Sequence, residues 1–278
     1  MNNILEVHGL NKTYPAFRLK DVSFALPKGY ISGFIGPNGS GKTTTIKAIL
    51  GITQPDSGEI KRSCRQEEIG VVMDAPFYVE DWTVSDVETY LSPFYPNWDG
   101  KAFAQYLKQF DLQRGKKIKA LSRGMKVKIQ LAVALSHGAK LLILDEPTSG
   151  LDPVARDEVC DILRTFVLDE NRSVLFSTHI TTDLEKTADY ITFILDGQIV
   201  YAGAKDALLD QYARVTGGLG ELSPEQKQLI IGYREHGTGF EGMVETTQIK
   251  KLPRSVLTEA INLDEIIIYM NKGAKLHA

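Results

Sequence analysis

The sequence is poor in cysteine and has no long apolar run. Its 278 residues include two cysteines, Cys64 and Cys160, which lie far apart and lack the close spacing of a metal site. We therefore expect two reduced thiols, as in cytosolic proteins. The longest apolar stretches are shorter than the ~18 residues of a transmembrane helix, and the N-terminus lacks the features of a signal peptide. These absences predict a soluble, cytoplasmic chain.

Charge of one sign is not in excess either. Lys and Arg together number 32 and Asp and Glu number 35, which gives a formal net charge of −3. Without a global basic excess, nucleic acid is not an expected partner. The length and the 43% of hydrophobic residues suit one large domain, or one domain with a small appendage.

A glycine-rich octet that reads GPNGSGKT has the pattern of a phosphate-binding loop. An apolar run at residues 30–35 predicts a strand before it, and residues 44–50 predict a helix after it. The glycines allow the backbone N–H groups to point at phosphate oxygens, and the helix N-terminus adds partial positive charge. With the following Thr44, the predicted nucleotide contacts are Gly36, Pro37, Asn38, Gly39, Ser40, Gly41, Lys42 and Thr43.

Each polar residue of this loop has a predicted task. Lys42 is placed to reach the β- and γ-phosphates, and Thr43 offers its hydroxyl to Mg²⁺. Downstream, the apolar residues 141–144 are followed by Asp145 and Glu146. A buried strand would deliver both carboxylates to the sheet edge beside the loop. We expect Asp145 to hold Mg²⁺ and Glu146 to act as general base toward the attacking water.

Strands and helices alternate along most of the chain, which predicts a mostly parallel sheet covered by helices. Strands and turns occupy residues 4–35, and helical segments dominate residues 76–140, which we interpret as an inserted subdomain. After about residue 205 the pattern changes. Residues 217–220 are glycine-rich and suggest a linker, so the predicted domains are 1–216 and a C-terminal α+β extension, 217–278, of unassigned role.

Three further motifs make the identification specific. Residues 121–125, LSRGM, precede a helix and resemble the signature motif of ABC-type ATPases. Residues 149–152, SGLD, resemble the D-loop of that family, and His179 ends a strand as its switch histidine does. The run LLILDEPTSGLDP at residues 141–153 has the same character. Alone, His179 would be an ordinary strand-end histidine and Ser122 a helix N-cap.

Over roughly residues 4–205 the chain resembles ATP-binding subunits of ABC transporters. It is similar to the bacterial ABC-2 exporter class and, within that class, it resembles subunits of antibiotic-responsive, GntR-regulated exporters. The resemblance implies an α/β P-loop ABC-type ATPase with a mostly parallel core, an antiparallel N-terminal part and the helical subdomain. It also implies that ATP and Mg²⁺ are bound.

The resemblance assigns further roles. Tyr14 would stack on adenine, the alternative being a core tyrosine, and His179 would contact the γ-phosphate. Ser122 and Gly124 would face the nucleotide of a second ATPase subunit, a copy or a paralogue. Two ATP molecules would then lie between two such domains.

Three positions, at two places in the chain, depart from the family pattern. The signature motif has Arg123 at a glycine position and Met125 at a glutamine position. After the strand at residues 69–73, where the family usually has glutamine, this chain has Asp74. A carboxylate there could act on the metal through a bridging water, or it could only shape a turn.

Three functions compete at this point. The leading one is a motor subunit that hydrolyses ATP to drive a separate multi-span membrane subunit, which would dock on the aromatic-rich residues 74–98. A soluble ABC-type ATPase acting on ribosomes or nucleic acid is the alternative. A non-catalytic regulatory subunit is the third, and the intact Lys42, Asp145, Glu146 and His179 argue against it.

Overall fold

The computed structural model describes residues 2–74 and 78–276. The strands are β1 (Asn3–Tyr14), β2 (Phe17–Pro27), β3 (Ile31–Ile35), β4 (Ser57–Arg62), β5 (Ile69–Val72), β6 (Leu141–Asp145), β7 (Ser173–Thr178), β8 (Tyr190–Leu195), β9 (Gln198–Ala204), β10 (Tyr212–Gly218), β11 (Ile231–His236), β12 (Gly239–Glu245) and β13 (Leu257–Ala260).

The helices alternate with these strands in the first part of the chain. They are α1 (Lys42–Ile49), α2 (Val84–Leu91), α3 (Gly100–Gln109), α4 (Arg123–Ser136), α5 (Pro153–Phe166), α6 (Thr181–Thr187), α7 (Lys205–Gln211), α8 (Pro224–Gln228) and α9 (Leu263–Leu276). Short 3-10 turns cover Gln66–Glu68, Ser92–Phe94, Ile118–Ala120 and Thr246–Lys251.

The larger sheet has the strand order β5-β6-β7-β3-β8-β9, and the pairs from β5 to β8 are parallel. Strands β3, β6 and β7 are buried at every position. Continuous apolar runs of this kind are typical of parallel strands that are covered on both faces. The prediction of a mostly parallel core is confirmed.

The carboxyl ends of three neighbouring strands meet at one edge of this sheet. Ile35 pairs with Thr178 between β3 and β7, and Asp145 pairs with Ser177 between β6 and β7. The residues that follow these strands therefore emerge side by side. In open α/β sheets this edge is where ligands bind.

A second, antiparallel sheet has the order β2-β1-β4, which confirms the antiparallel N-terminal part. Its apolar face shares a buried core with the larger sheet, in which Leu5, Leu19 and Phe24 join Phe34 and Ile143. Phe24 and Phe34 stack with ring centroids 5.4 Å apart. Leu19 of this core lies 2.5 Å from the position of a Cβ on Gly41 in the phosphate loop.

Helices α2, α3 and α4 lie between β5 and β6 in the chain, where the sequence predicts a helical subdomain. Local signals set where each begins. The Thr83 hydroxyl accepts from the Asp86 N–H in a capping box, Asp99 caps α3, and Ser122 caps α4. Among the described residues, no helix has both the length and the hydrophobicity that a membrane crossing requires.

The chain divides into two compact units, the first ending at Ala202 and the second starting at Gly203. This boundary precedes the one expected at residue 216. Two of the three glycines interpreted as a linker lie inside a strand, because Gly217 and Gly218 of β10 pair with β12. A Cβ on Gly217 would come within 2.6 Å of the Phe240 ring, so glycine is required by the packing of that ring.

The second unit is built on the antiparallel sheet β11-β12-β10-β13. Val215, Phe240 and Val244 are in its apolar core, and α9 packs against β11. The predicted α+β character of the C-terminal part is confirmed.

Candidate nucleotide-binding site

The predicted phosphate loop connects the end of β3 to the start of α1. Gly39 and Gly41 have φ values of +80° and +112°, a region that glycine adopts without steric cost. Gly36 lies so close to β8 that a Cβ would come within 2.2 Å of the Ile194 carbonyl oxygen. The Ser40 carbonyl accepts a hydrogen bond of 3.0 Å from the Gly197 N–H. The loop therefore has a shape that the sheet imposes.

The Lys42 ammonium is buried at the base of this loop. It donates to the carbonyl oxygens of Gly36 at 2.7 Å and Pro37 at 3.3 Å, and it lies 3.5 Å from Glu146 Oε1. Because a buried charge is costly without partners, these contacts account for its burial. They also hold a cation at the phosphate loop.

Asp145 is the last residue of β6 and is buried. Its Oδ2 accepts a 2.8 Å hydrogen bond from the Thr43 hydroxyl. Burial raises the pKa of the Asp145 carboxyl above its usual value, and the Thr43 bond opposes that shift. Within the described residues, neither Asp145 Oδ1 nor the Ser40 hydroxyl has a hydrogen-bond partner of good geometry.

These orphaned polar atoms fit the ligands implied by the sequence. A buried carboxylate oxygen beside a threonine hydroxyl is the kind of hard oxygen donor that Mg²⁺ prefers. A buried hydroxyl in a phosphate loop suits a phosphate oxygen, since buried polar groups are normally paired. Asp145 and Thr43 are thus the residues that would hold the ion.

Glu146 and His179 meet at the same edge of the sheet. Glu146 Oε2 lies 2.7 Å from His179 Nδ1, and the His179 N–H donates to the same oxygen at 3.4 Å. Glu146 has a φ of +53°, a left-handed conformation that costs a non-glycine residue about 1–3 kcal/mol. Such strain is concentrated at functional sites, where it aims a side chain.

A single cleft of about 500 Å³ collects these groups, a size typical of small-molecule sites. Its lining is Phe17, Asn38, Gly39, Gly41, Lys42, Thr43, Thr44, Asp74, Glu146, Ser149 and His179. The structure therefore brings together loop residues, the predicted base and the predicted switch histidine, which are far apart in sequence.

Two lining residues were missed by the sequence reasoning. Phe17 contributes an aromatic ring to the cleft, and Ser149 contributes a hydroxyl from the SGLD motif. Phe17 pairs with Tyr14 across the β1–β2 hairpin, so an aromatic pair was the available signal. Tyr14 itself is 41% exposed, with the Lys12 ammonium 5.8 Å from its ring centroid. Its adenine role stays a prediction.

The signature residues lie at the start of α4. The Ser122 hydroxyl caps the helix by accepting from the Met125 N–H at 3.3 Å, so the N-cap role is present. Gly124 is near the SGLD motif, where Leu151 Cδ2 lies 3.6 Å from the position of a Cβ. Asp74 lines the cleft, and its carboxylate binds the Arg123 guanidinium. The predicted metal role of Asp74 stays a prediction.

Comparisons with known proteins identify the family of this chain. The family model described as "ABC transporter" matches residues 19–149. The ABC transporter ATP-binding protein YtrB of Bacillus subtilis is 31% identical over 76% of this chain and 76% of its own length. The lantibiotic transport ATP-binding protein SrtF of Streptococcus pyogenes is 32% identical over 71% of this chain and 89% of its own.

A solved structure described as an ATP-binding subunit of an ABC transporter has the same fold. It superposes with a TM-score of 0.67 at 26% identity, covering 75% of this chain and 92% of that one. The cleft lies within the first unit of this chain. The chain belongs to the family of ABC transporter ATP-binding subunits, which are ATPases that use ATP with Mg²⁺.

Proposed function

We propose that this ATPase is the motor subunit of a membrane exporter of the ABC-2 class. We further propose that the exporter is of the antibiotic-responsive, GntR-regulated type, which the sequence resembles. Two such subunits would enclose two MgATP and drive a separate multi-span membrane subunit. The observation that carries the proposal is the meeting of Lys42, Glu146 and His179 in one cleft, beside Asp145 and Thr43.

The binding roles follow from charge and burial. The loop N–H groups and the Lys42 ammonium bind the β- and γ-phosphates, because they are the convergent donors of the cleft. Thr43 and Asp145 hold Mg²⁺, which neutralises charge on the phosphate oxygens when it is bound. The pairing of the Thr43 hydroxyl with Asp145 Oδ2 keeps both oxygens at the same point.

Glu146 is proposed as the general base. A water beside the γ-phosphate gives a proton to the Glu146 carboxylate, and its oxygen bonds to phosphorus as the bond to the bridging oxygen breaks. The His179 ring, 2.7 Å from Glu146 Oε2, keeps that carboxylate oriented toward the cleft. ADP and inorganic phosphate are the products.

A second subunit is part of the proposal. Ser122 and Gly124 stand at the N-terminus of α4, a helix of 14 residues whose dipole favours an anion. The lining of their own cleft comes from other segments. A nucleotide bound by a partner subunit is the anion that these residues would contact.

The membrane partner is proposed to dock on the aromatic region at residues 74–98. Tyr95 stacks on His137 at 4.1 Å and Trp98 packs on Phe103 at 5.2 Å, so those two rings serve the core. Phe94 is 76% exposed and is available to a partner. Phe77, also predicted to dock, lies outside the described residues.

The name of one relative supports a transport role, and export and location are proposed from it. SrtF is named for lantibiotic transport, and we propose that this chain likewise serves export from the cytoplasmic face of a membrane. The alternative of an ATPase acting on ribosomes or nucleic acid finds no support in the comparisons reported above.

The decisive experiment separates binding from hydrolysis. Lys42→Ala should lose both MgATP binding and turnover. Glu146→Gln should retain binding but lower turnover by roughly 100-fold or more, since a general base contributes about 10²–10⁴ in rate. Calorimetry and phosphate release measure the two effects. Parent-like hydrolysis by Glu146→Gln would contradict the assigned role.

The same Glu146→Gln protein tests whether two subunits enclose two ATP molecules. Saturating MgATP should shift it toward a dimer by light scattering, because ATP gains contacts from Ser122 and Gly124 only in the dimer. The nucleotide-free protein is the control. A strict monomer with MgATP and the membrane partner present would falsify the two-subunit site.

A further inference from the structure

Two of the three residues that depart from the family pattern, Arg123 and Asp74, contact each other. Arg123 is the first residue of α4, and Asp74 lies just after β5, 49 residues earlier in the chain. The Arg123 guanidinium donates to the Asp74 carboxylate. The two departures therefore form one charge pair, at the wall of the nucleotide cleft that Asp74 lines.

The backbone next to Asp74 is already fixed by another residue of α4. The Met73 N–H donates to Gln130 Oε1 at 3.0 Å, and Gln130 Nε2 donates to the Met73 carbonyl at 3.1 Å. Because Gln130 is buried, these two hydrogen bonds hold the Met73 backbone firmly against α4. Arg123 is not needed to hold the chain here, and its contact acts on the Asp74 side chain.

Arg123 also lies against the loop that follows Glu146. Its Cδ and Nε are each 3.3 Å from the position of a Cβ on Gly150, and its Cζ is at 3.5 Å. Gly150 has a φ of +68°, so both its conformation and this contact favour glycine. The neighbouring Ser149 lines the cleft. One arginine thus spans the cleft wall and the SGLD motif.

The charges of the cleft give this pair a function. Asp74 and Glu146 both bring carboxylates to the proposed polyphosphate site, and Lys42 is the one lysine or arginine among the described residues of the lining. An uncompensated Asp74 would repel the nucleotide. The side chains of Arg123 and Asp74 are 45% and 58% exposed, and pairs so exposed contribute little to folding stability. The effect of the pair is therefore expected in the cleft.

We propose that Arg123 is a positioning residue of this ATPase, which neutralises Asp74 at the cleft wall and keeps that carboxylate from opposing ATP. The proposal rests on the proposed function in taking this cleft as the ATP site. Loss of Arg123 leaves the Asp74 charge facing the phosphates. When Arg123 and the Asp74 charge are both removed, no uncompensated carboxylate remains at position 74.

A double-mutant cycle on the full chain tests this coupling. Calorimetry gives the dissociation constant of MgATP for the parent, Arg123→Gln, Asp74→Asn and the double variant. Arg123→Gln should weaken binding roughly three- to fivefold, the upper part of the range for exposed ion pairs. Added to Asp74→Asn, the same change should weaken binding less than about twofold. Arg123→Lys should restore part of the loss, because it keeps the charge.

Arg164→Gln is the matched control. The Arg164 side chain is 40% exposed and pairs with Asp161 on α5, away from the cleft lining. The variant therefore loses a similar ion pair, and its MgATP affinity should not change. Equal weakening by Arg123→Gln with and without the Asp74 charge would overturn the proposal, and so would no weakening at all. Lys42→Ala distinguishes the failures: parent-like affinity in that variant would refute the ATP site itself.

Discussion

Gly36→Ala should damage the phosphate loop through steric contacts with β8 and Ser40. A Cβ at this position would lie 2.2 Å from the Ile194 carbonyl oxygen, 2.5 Å from Ser40 Oγ and 3.0 Å from Ile194 Cγ2. Ile194 is fully buried in β8, whose backbone pairs with β3 just before the loop. The added methyl group cannot be accommodated by a side-chain rotation, because the nearest atom belongs to the sheet backbone.

The size of the effect follows from which part moves. A contact of 2.2 Å must lengthen by about 1 Å to become tolerable, and overpacking of this kind costs about 1–3 kcal/mol. If the loop moves, its N–H groups and Lys42 are displaced relative to the phosphates. A displacement of ~1 Å can lower a rate by about 100-fold. We expect a free energy of unfolding lower by about 1–3 kcal/mol and turnover lower by about 100-fold.

Urea unfolding and MgATP turnover measure the two effects separately. Gly115→Ala is the control, because a Cβ there has no neighbour within 4 Å and the free energy of unfolding should change by less than about 0.5 kcal/mol. Gly39→Ala isolates backbone strain, since its φ is +80° but the space beside it is open. A Gly36→Ala protein with the stability and turnover of the parent would refute the close approach of the loop to β8.

Two other predictions concern stability and partners. Hydrogen bonds from the Arg65 N–H and then from Lys140 lower the pKa of the Glu68 carboxyl to about 2, so its contribution is present above pH ~4.5 and lost as the pH falls toward 2. Glu68→Gln should lower the free energy of unfolding by about 1–2 kcal/mol at pH 7, and urea titrations should show that this difference disappears near pH 2; a constant difference would contradict it. Phe94→Glu should abolish co-purification with the membrane subunit while MgATP binding persists. Leu168→Glu, at an 80% exposed position, is the matched control, and equal loss in both variants would refute the docking site.

Much of the site could be predicted from the sequence because its parts are short and contiguous. The loop with Lys42, the acids after β6 and His179 after β7 each follow a buried strand. In a parallel sheet, neighbouring strands end at the same edge, so strand ends predict proximity without knowledge of distances. Helix caps such as Ser122 were equally local.

Contacts between distant segments could not be predicted in this way. Arg123 and Asp74 are 49 residues apart, and each is an isolated departure until the fold brings them together. The sequence also gives no indication of the left-handed backbone at Glu146, because glutamate rarely adopts that conformation. Tyr14 and Phe17 face each other across a hairpin, and the sequence offers no reason to prefer either ring.

Glycine was the residue most easily misread. Residues 217–220 suggest flexibility, yet Gly217 and Gly218 pair within β10, where the Phe240 ring lies over the space that a side chain would fill. A glycine can mark a turn, a linker or a close contact, and composition does not distinguish these. Here the Phe240 ring on the paired strand shows that Gly217 marks a close contact.

The charge balance of the cleft links the proposed roles of the metal and of Arg123. Glu146 and Asp74 line the cleft with Lys42, and the desolvated Asp145 stands next to Thr43. A polyphosphate would meet more negative than positive side chains there. In the proposed site, Mg²⁺ held by Asp145 would offset one carboxylate and Arg123 would offset another, while Glu146 would keep its charge to accept a proton. We therefore expect the site to bind an anion and retain a base when the other two carboxylates are compensated.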